Sequence, residues 1–396
     1  MSESSPSHPL TLNDLFPQNS RLLLTGGGKE FLERIGVEAA RRVVLGVMMG
    51  ENVRTQTEPL TRRRIAQASG AMAALFAQGC LHFEDFTSRL SAMAVEQIKT
   101  ANRNDNASIW PAQWLLGLTG KSVQNVLRNN PDVQDYLTDF ETAVREAAVQ
   151  CQTEIGDLQL TLGFVESPDG RRAKLDWEGI TRLTTAIGSL TLTLRGSDKS
   201  IYGKLFERLV LGSVLAVLGF RRVDPRTNTR THKVFWLADS SNERESDATL
   251  LLQPGKLARF DIGFIGPGNP EISKDKLSRY AREIELAGGA HHSTTFIIID
   301  RLPKTGKTEE AAKRIGAEII QMSMRYWPRD LAQRLGHQLG FKHELQTMPD
   351  AQIEGFLESA LADIRIQDFL IGVSPEDLSV DAELPEAEEE IEGTDV

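Results

Sequence analysis

The chain has 396 residues, 40% hydrophobic and 25% charged, which is enough apolar material for a large core spread over two or three domains. Its formal charge of −10 is concentrated between Glu376 and Asp395, which hold ten acidic residues and no Lys or Arg; without them the chain is neutral and can carry a local basic groove. No leader with a basic start and apolar run, no span of about 18 apolar residues and no CxxC pair occurs, so a cytoplasmic chain without membrane span, disulfide framework or structural zinc is expected, with Cys80 and Cys151 as small buried apolar residues.

Residues 1 to about 30 form a polar lead-in that ends in Thr25-Gly26-Gly27-Gly28-Lys29. That glycine run lacks the spacing and the hydroxyl residue of a phosphate loop, so it reads as a turn. From Glu30 to about Gln152 the pattern is helical, with Phe31, Ile35, Ala39, Val43 and Val47 recurring on one face, and Ala71 to Phe76 and Leu90 to Ile98 behaving alike. Within this helical N-terminal domain (residues 1–153), Trp114 to Asn129 has the texture of a helix-turn-helix. Val123, Val126 and Leu127 face inward, and Lys121, Ser122, Gln124, Asn125 and Arg128 present the donor and acceptor types that read base edges and hold phosphates. An ordinary helical hairpin with a solvated polar face fits equally well. Arg62-Arg63-Arg64 is a second candidate for phosphate contact, or the exposed start of a helix.

Residues 154–199 change to alternation, Leu158, Leu160 and Leu162, then Leu190, Leu192 and Leu194, with the turn Ser167-Pro168-Asp169-Gly170 between them; strands bridging two domains are predicted. A mixed α/β domain (residues 200–373) follows. Its first helix, Ile201 to Gly219, is apolar on one side through Leu205, Leu209, Leu215 and Leu218, yet carries Glu207. Strands are predicted at Lys233–Ala238, Ala248–Leu252 and Leu257–Gly266, with a turn at Gln253-Pro254-Gly255-Lys256, and the final stretch 374–396 reads as a disordered acidic tail.

Asp261 falls inside an apolar strand, where aspartate is a poor former, so it is either solvent-facing or functional. Glu271 follows the glycine-rich turn Gly266-Pro267-Gly268-Asn269-Pro270. A strand with Asp261, a turn and a short strand with Glu271 bring two carboxylates to one sheet edge, where they can share a hard cation. Phosphodiester hydrolysis calls for that grouping, since a divalent ion held by carboxylates neutralises the phosphate and lowers the pKa of a bound water. A nearby lysine, Lys274 or Lys276, would then orient the water or stabilise the transition state.

The order helix with Glu207, strands with Asp261 and Glu271, helix Leu277–Leu286, strand Thr295–Asp300 (αβββαβ) is similar to the core of the PD-(D/E)XK nuclease superfamily. More narrowly, Lys29 to Gly36, Pro59 to Arg64 and the segment Arg244 to Arg279 resemble type II restriction endonucleases of the CfrBI-like group. The resemblance implies a Mg²⁺-dependent enzyme that cuts double-stranded DNA at specific sites, with catalytic roles for Glu207, Asp261 and Glu271, activity as a homodimer, and a cognate DNA methyltransferase as functional partner. Two departures stand: the superfamily's usual lysine, two residues after the glutamate, is Ser273, and Asp247 competes with Asp261 for the first aspartate. The alternative to an enzyme is a non-catalytic regulator that binds DNA through Lys121 to Arg128. A third possibility is an interaction protein whose acidic tail recruits a basic partner. Other signals are weaker. Thr305-Gly306-Lys307-Thr308 lacks the first glycine of a nucleotide loop, His291-His292 reads as loop, and Met322 to Trp327 reads as core packing.

Overall fold

The structure is a computed structural model that describes residues 10–25, 27–102, 105–120, 133–155, 164–174, 176–238, 246–264, 293–301 and 316–373. Helices dominate up to Ile155: α1 (Leu12–Leu15), α2 (Leu22–Thr25), α3 (Gly28–Ile35), α4 (Val37–Met48), α5 (Val53–His82), α6 (Phe86–Thr100), α7 (Asn106–Leu115) and α8 (Val133–Ile155). The apolar stripe from Phe31 to Val47 is therefore broken in two. Gly36 separates α3 from α4 with φ +113°, a left-handed conformation that favours glycine.

A small antiparallel hairpin, β1 (Phe164–Glu166) and β2 (Arg172–Lys174), follows, closed by the expected turn at Pro168-Asp169. Beyond it, the prediction of strands at Leu190 to Leu194 is overturned, because these residues lie in α9 (Trp177–Val217), a helix of 41 residues. Leu190 and Leu194 are fully buried while Leu192 is 67% exposed, a spacing of four that fits one face of a helix and not the period of a strand. The Asp176 carboxylate caps α9 by accepting from the Gly179 N–H at 2.8 Å. The helix runs unbroken past residues 199 and 200, where the texture of the sequence changes, and packs against α4, α5, α7 and α8 as well as the sheet. Glu207 consequently sits in the last third of a long helix, not near the start of a short one.

Among the described residues the remaining strands form one mixed sheet of six: β3 (Arg221–Arg222), β4 (Val234–Leu237), β5 (Ala248–Gln253), β6 (Lys256–Gly263), β7 (Ser293–Ile299) and β8 (Ala317–Gln321), in that spatial order. β4, β5 and β6 are an antiparallel meander, whereas β3 with β4, β6 with β7, and β7 with β8 are parallel. Alternate residues Phe260, Ile262, Phe296 and Ile298 join the same buried core as Leu205, Phe206 and Leu209 of α9, and Phe260 stacks on Phe296 with centroids 5.2 Å apart. Two helices close the described chain, α10 (Trp327–Leu339) and α11 (Asp350–Ala362). Trp327 is buried and donates from its indole N–H to the Val47 carbonyl at 2.8 Å, as core packing predicts; Met324, in the same stretch, is 60% exposed.

Two smaller expectations also change. Arg64 is not at an exposed helix start but in the middle of α5, with no exposure, ion-paired to Asp198 of α9 and donating to the Leu23 carbonyl at 2.7 Å. Cys151 is exposed and Cys80 only partly buried. Burial pushes the Cys80 thiol up to about 11, helped by the charge of Asp176, which leaves it protonated and unreactive near neutral pH.

Candidate functional site

The antiparallel ladder between β5 and β6 ends at Ala248 opposite Phe260. The next residues outward are Asp247 and Asp261, so the two aspartates that the sequence sets in competition sit together at one strand end. The Asp247 side chain bonds to the residue after Asp261: its Oδ2 accepts the backbone N–H of Ile262 at 2.7 Å. Its own carbonyl accepts the Ala238 N–H at 3.0 Å, which ties the end of β4 to the same place. An aspartate just before a strand has no ladder partner for its side chain, and here that side chain extends the ladder by one bond.

Asp261 keeps only 7% of its surface exposed. On a strand the side chains alternate, so Asp261 points away from the face of Phe260 and Ile262, toward the side shared with Arg259 two residues earlier and with Ile297, its partner in β7. A carboxylate taken this far from water needs a compensating cation or donors. Arg259, half-buried on the same face, was not singled out from the sequence; its position two residues from a strand aspartate was the available signal.

The residue after Glu207 on α9 contacts this end of the sheet. Arg208 donates from Nη1 to the Ala238 carbonyl at 2.6 Å, and Ala238 is bonded to Asp247. Even so, no group of three His, Cys, Asp or Glu side chains able to hold a metal forms among the described residues. The described structure sets Asp247 and Asp261 opposite one another and brings Arg208, the neighbour of Glu207, to the same edge, without joining the three acids into a cluster. Glu271, Lys274 and Lys276 lie outside the described residues, as do Lys121, Ser122, Gln124, Asn125 and Arg128 of the predicted recognition helix. What is described of that motif is its lead-in, α7 and a turn at Gly117 with φ +69°. The nucleotide-loop signal at Thr305 to Thr308, the histidine pair and the acidic stretch 374–396 also fall outside.

A further carboxylate escaped the sequence reading. Asp300 closes β7, three residues beyond the partner of Asp261, and is buried. Burial raises its pKa, while the charges of Arg301 and Arg54 oppose that rise; the Asn52 amide donates to it at 3.4 Å. Its signal was the aspartate that ends an apolar strand. Asp247 and Asp261, opposite one another across β5 and β6, offer carboxylate oxygens of the hard type that suit a divalent cation, and the Ile262 amide fixes how the Asp247 carboxylate is turned.

No helix among the described residues is long and apolar enough to cross a membrane. The family described as CfrBI restriction endonuclease matches residues 37–307. The type II restriction enzyme CfrBI of Citrobacter freundii is 31% identical over 363 residues, which covers 90% of this chain and 97% of that protein. No solved structure matches the chain. A family match over more than half of the length, and a relative aligned almost end to end, show that the chain belongs to the CfrBI restriction endonuclease family.

Proposed function

We infer that the protein is a type II restriction endonuclease that hydrolyses phosphodiester bonds of double-stranded DNA at a specific sequence. The observation that carries this is the relative of 31% identity, matched over 97% of its own length. The site geometry supports it: the meander β4, β5, β6 followed by the parallel strand β7 fits the order of a PD-(D/E)XK core, with Asp247 at the entrance of the second strand of the meander and Asp261 inside the third.

In this reading Asp247 and Asp261 hold a divalent cation, with Mg²⁺ the expected ion. An ion held there would supply charge neutralisation at the scissile phosphate and a water of lowered pKa. The protein's own part is positional. The Ile262 amide turns the Asp247 carboxylate, strand pairing sets Asp261 beside it, and Arg259 supplies positive charge on the same face for the charge that develops at the phosphate. Glu207, Glu271, Lys274 and Lys276 remain proposed contributors, the first from α9 and the others from the segment after β6. With Asp261 as the second acid, the position two residues later is Gly263, which has no side chain, so the cationic group must come from elsewhere. Lys121, Ser122, Gln124, Asn125 and Arg128 are proposed to contact the DNA. A symmetric target calls for two active sites related by a twofold axis, hence a homodimer, working in the cytoplasm beside a methyltransferase that protects the host's own sites.

Incubating the purified chain with plasmid DNA, with Mg²⁺ or with EDTA, tests the reading. Discrete fragments that depend on Mg²⁺ are expected. Retarded but intact plasmid in both samples would instead identify a DNA-binding regulator.

A further inference from the structure

The segment Arg221 to Lys233, which forms β3 and leads into β4, holds five Arg and Lys residues and His232 against one acid, Asp224, in a chain of net charge −10. Arg221, Arg230, His232 and Lys233 are exposed. The loop is shaped by its own backbone. The Asp224 carboxylate accepts from the Arg226 N–H at 2.9 Å, and the Asn228 side chain accepts from the Arg230 N–H at 3.0 Å while donating to the Arg230 carbonyl at 2.7 Å. Both ends are fastened to the sheet, Arg221 donating to Lys233 at 2.9 Å and Lys233 to Leu252 at 3.0 Å. Arg222 is used differently, donating to the carbonyls of Asp368 and Ile371.

Among the described residues β3 is the edge of the sheet, and charge on an edge strand guards against unwanted pairing. That accounts for Arg221 but not for Arg230, His232 and Lys233, which lie in the loop beyond the strand. Preordered cations cost less entropy to dock than a mobile tail does, and the fitting partner is a regular array of phosphates. We propose that this loop binds the backbone of duplex DNA flanking the cleavage site, an inference that rests on the nuclease reading. From Lys233 along β4 to the strand end bearing Asp247 is about five residues, roughly 16 Å. At 3.4 Å per base pair, that places the loop's phosphates about five base pairs from the scissile one, so the contact is to backbone and independent of sequence.

The test is fluorescence anisotropy of the full chain on a labelled duplex of unrelated sequence, without divalent ions, titrated with NaCl. The variant is Arg221→Gln/Arg230→Gln/Lys233→Gln, and a control removes three exposed arginines elsewhere, Arg89→Gln/Arg171→Gln/Arg172→Gln. The three loop contacts should flatten the slope of log K against log salt by about 2 to 3 and weaken binding at least about tenfold at 0.1 M salt, with the control at the wild-type slope. Equal slopes for wild type and loop variant, or an equal loss in the control, overturn the proposal. So does a loop variant that loses binding to phosphatidylserine vesicles while keeping its grip on DNA. A chain that shows the slope difference but never cuts DNA would remove the nuclease reading and leave the duplex contact standing.

Discussion

Asp247 and Asp261 meet at one strand end, where the Asp247 carboxylate accepts the N–H of Ile262, the residue immediately after Asp261. In the proposed site the two acids act as a pair instead of excluding one another. Asp247→Asn and Asp261→Asn should each lower cleavage by about 10³-fold or more, on the order of 4 kcal/mol of transition-state stabilisation, with thermal unfolding little changed. Glu271→Gln, assayed beside them, tests the acid chosen from the sequence. Full cleavage by Asp247→Asn together with loss in Glu271→Gln would show that the strand-end pair is not the catalytic one.

Arg64 is the interior end of an Arg triplet that looks like a phosphate contact, yet it is ion-paired to Asp198 and lies over the Phe31 ring at 5.2 Å. Removing one partner strands a buried charge, so Arg64→Ala should destabilise by about 3–5 kcal/mol in urea unfolding. The double replacement Arg64→Met/Asp198→Leu should recover much of that loss. DNA affinity per folded molecule should not change; a weakened salt dependence of binding in Arg64→Ala would restore the phosphate role.

Leu194 and Leu192 show how much of the fold could be read in advance. The helical N-terminal region, the meander and its turn at Pro254-Gly255, and the strand ending at Asp300 follow from local periodicity and turn residues, and all are present. Residues 190 to 194 misled because Leu-Thr-Leu-Thr-Leu has the alternation of a strand, while burial by α5 and α7 imposes a helix; tertiary packing overrides a short pattern. The Asp247–Asp261 pair was hidden for a related reason. Pairing register is a property of two strands together, and either aspartate alone reads as a surface residue. Leu194→Ala should cost about 2–5 kcal/mol and Leu192→Ala within about 0.5 kcal/mol. Comparable losses in the two, measured by denaturant unfolding, would contradict the helix.

Asp300 offers a test in which the sign of a pKa shift decides the outcome. Burial raises its pKa above the ordinary 3.8, so the folded state disfavours the ionised form, and the resulting cost is present at neutral pH and absent below the ordinary value. Asp300→Asn should therefore raise Tm at pH 7, with the gain vanishing toward pH 4. An Asn variant less stable than wild type at pH 7 would mean that the carboxylate is held by Arg54 and Arg301 more strongly than burial opposes it.

His343 titrates in the opposite structural sense. Its Nδ1 accepts the Leu345 N–H at 3.2 Å, capping the short helix Glu344–Gln346, so that nitrogen must be unprotonated. Burial lowers its pKa and the charge of Lys233 adds to the effect, while Glu344 and a backbone hydrogen bond with Val217 oppose it. A depressed folded pKa contributes stability that is fully present above the ordinary value of 6.5 and is lost as pH falls through the lower folded value. Protonation would cost the cap, about 1 kcal/mol. His343→Asn keeps an acceptor of similar reach but cannot titrate, so its Tm should fall less than that of wild type between pH 7 and pH 5. Parallel Tm profiles over that range would show that the ring is not held neutral. The charge of Lys233 joins this cap to the basic loop: Lys233→Gln should make the Tm loss between pH 7 and pH 5 smaller, because a neutral neighbour brings the folded pKa of His343 closer to its ordinary value.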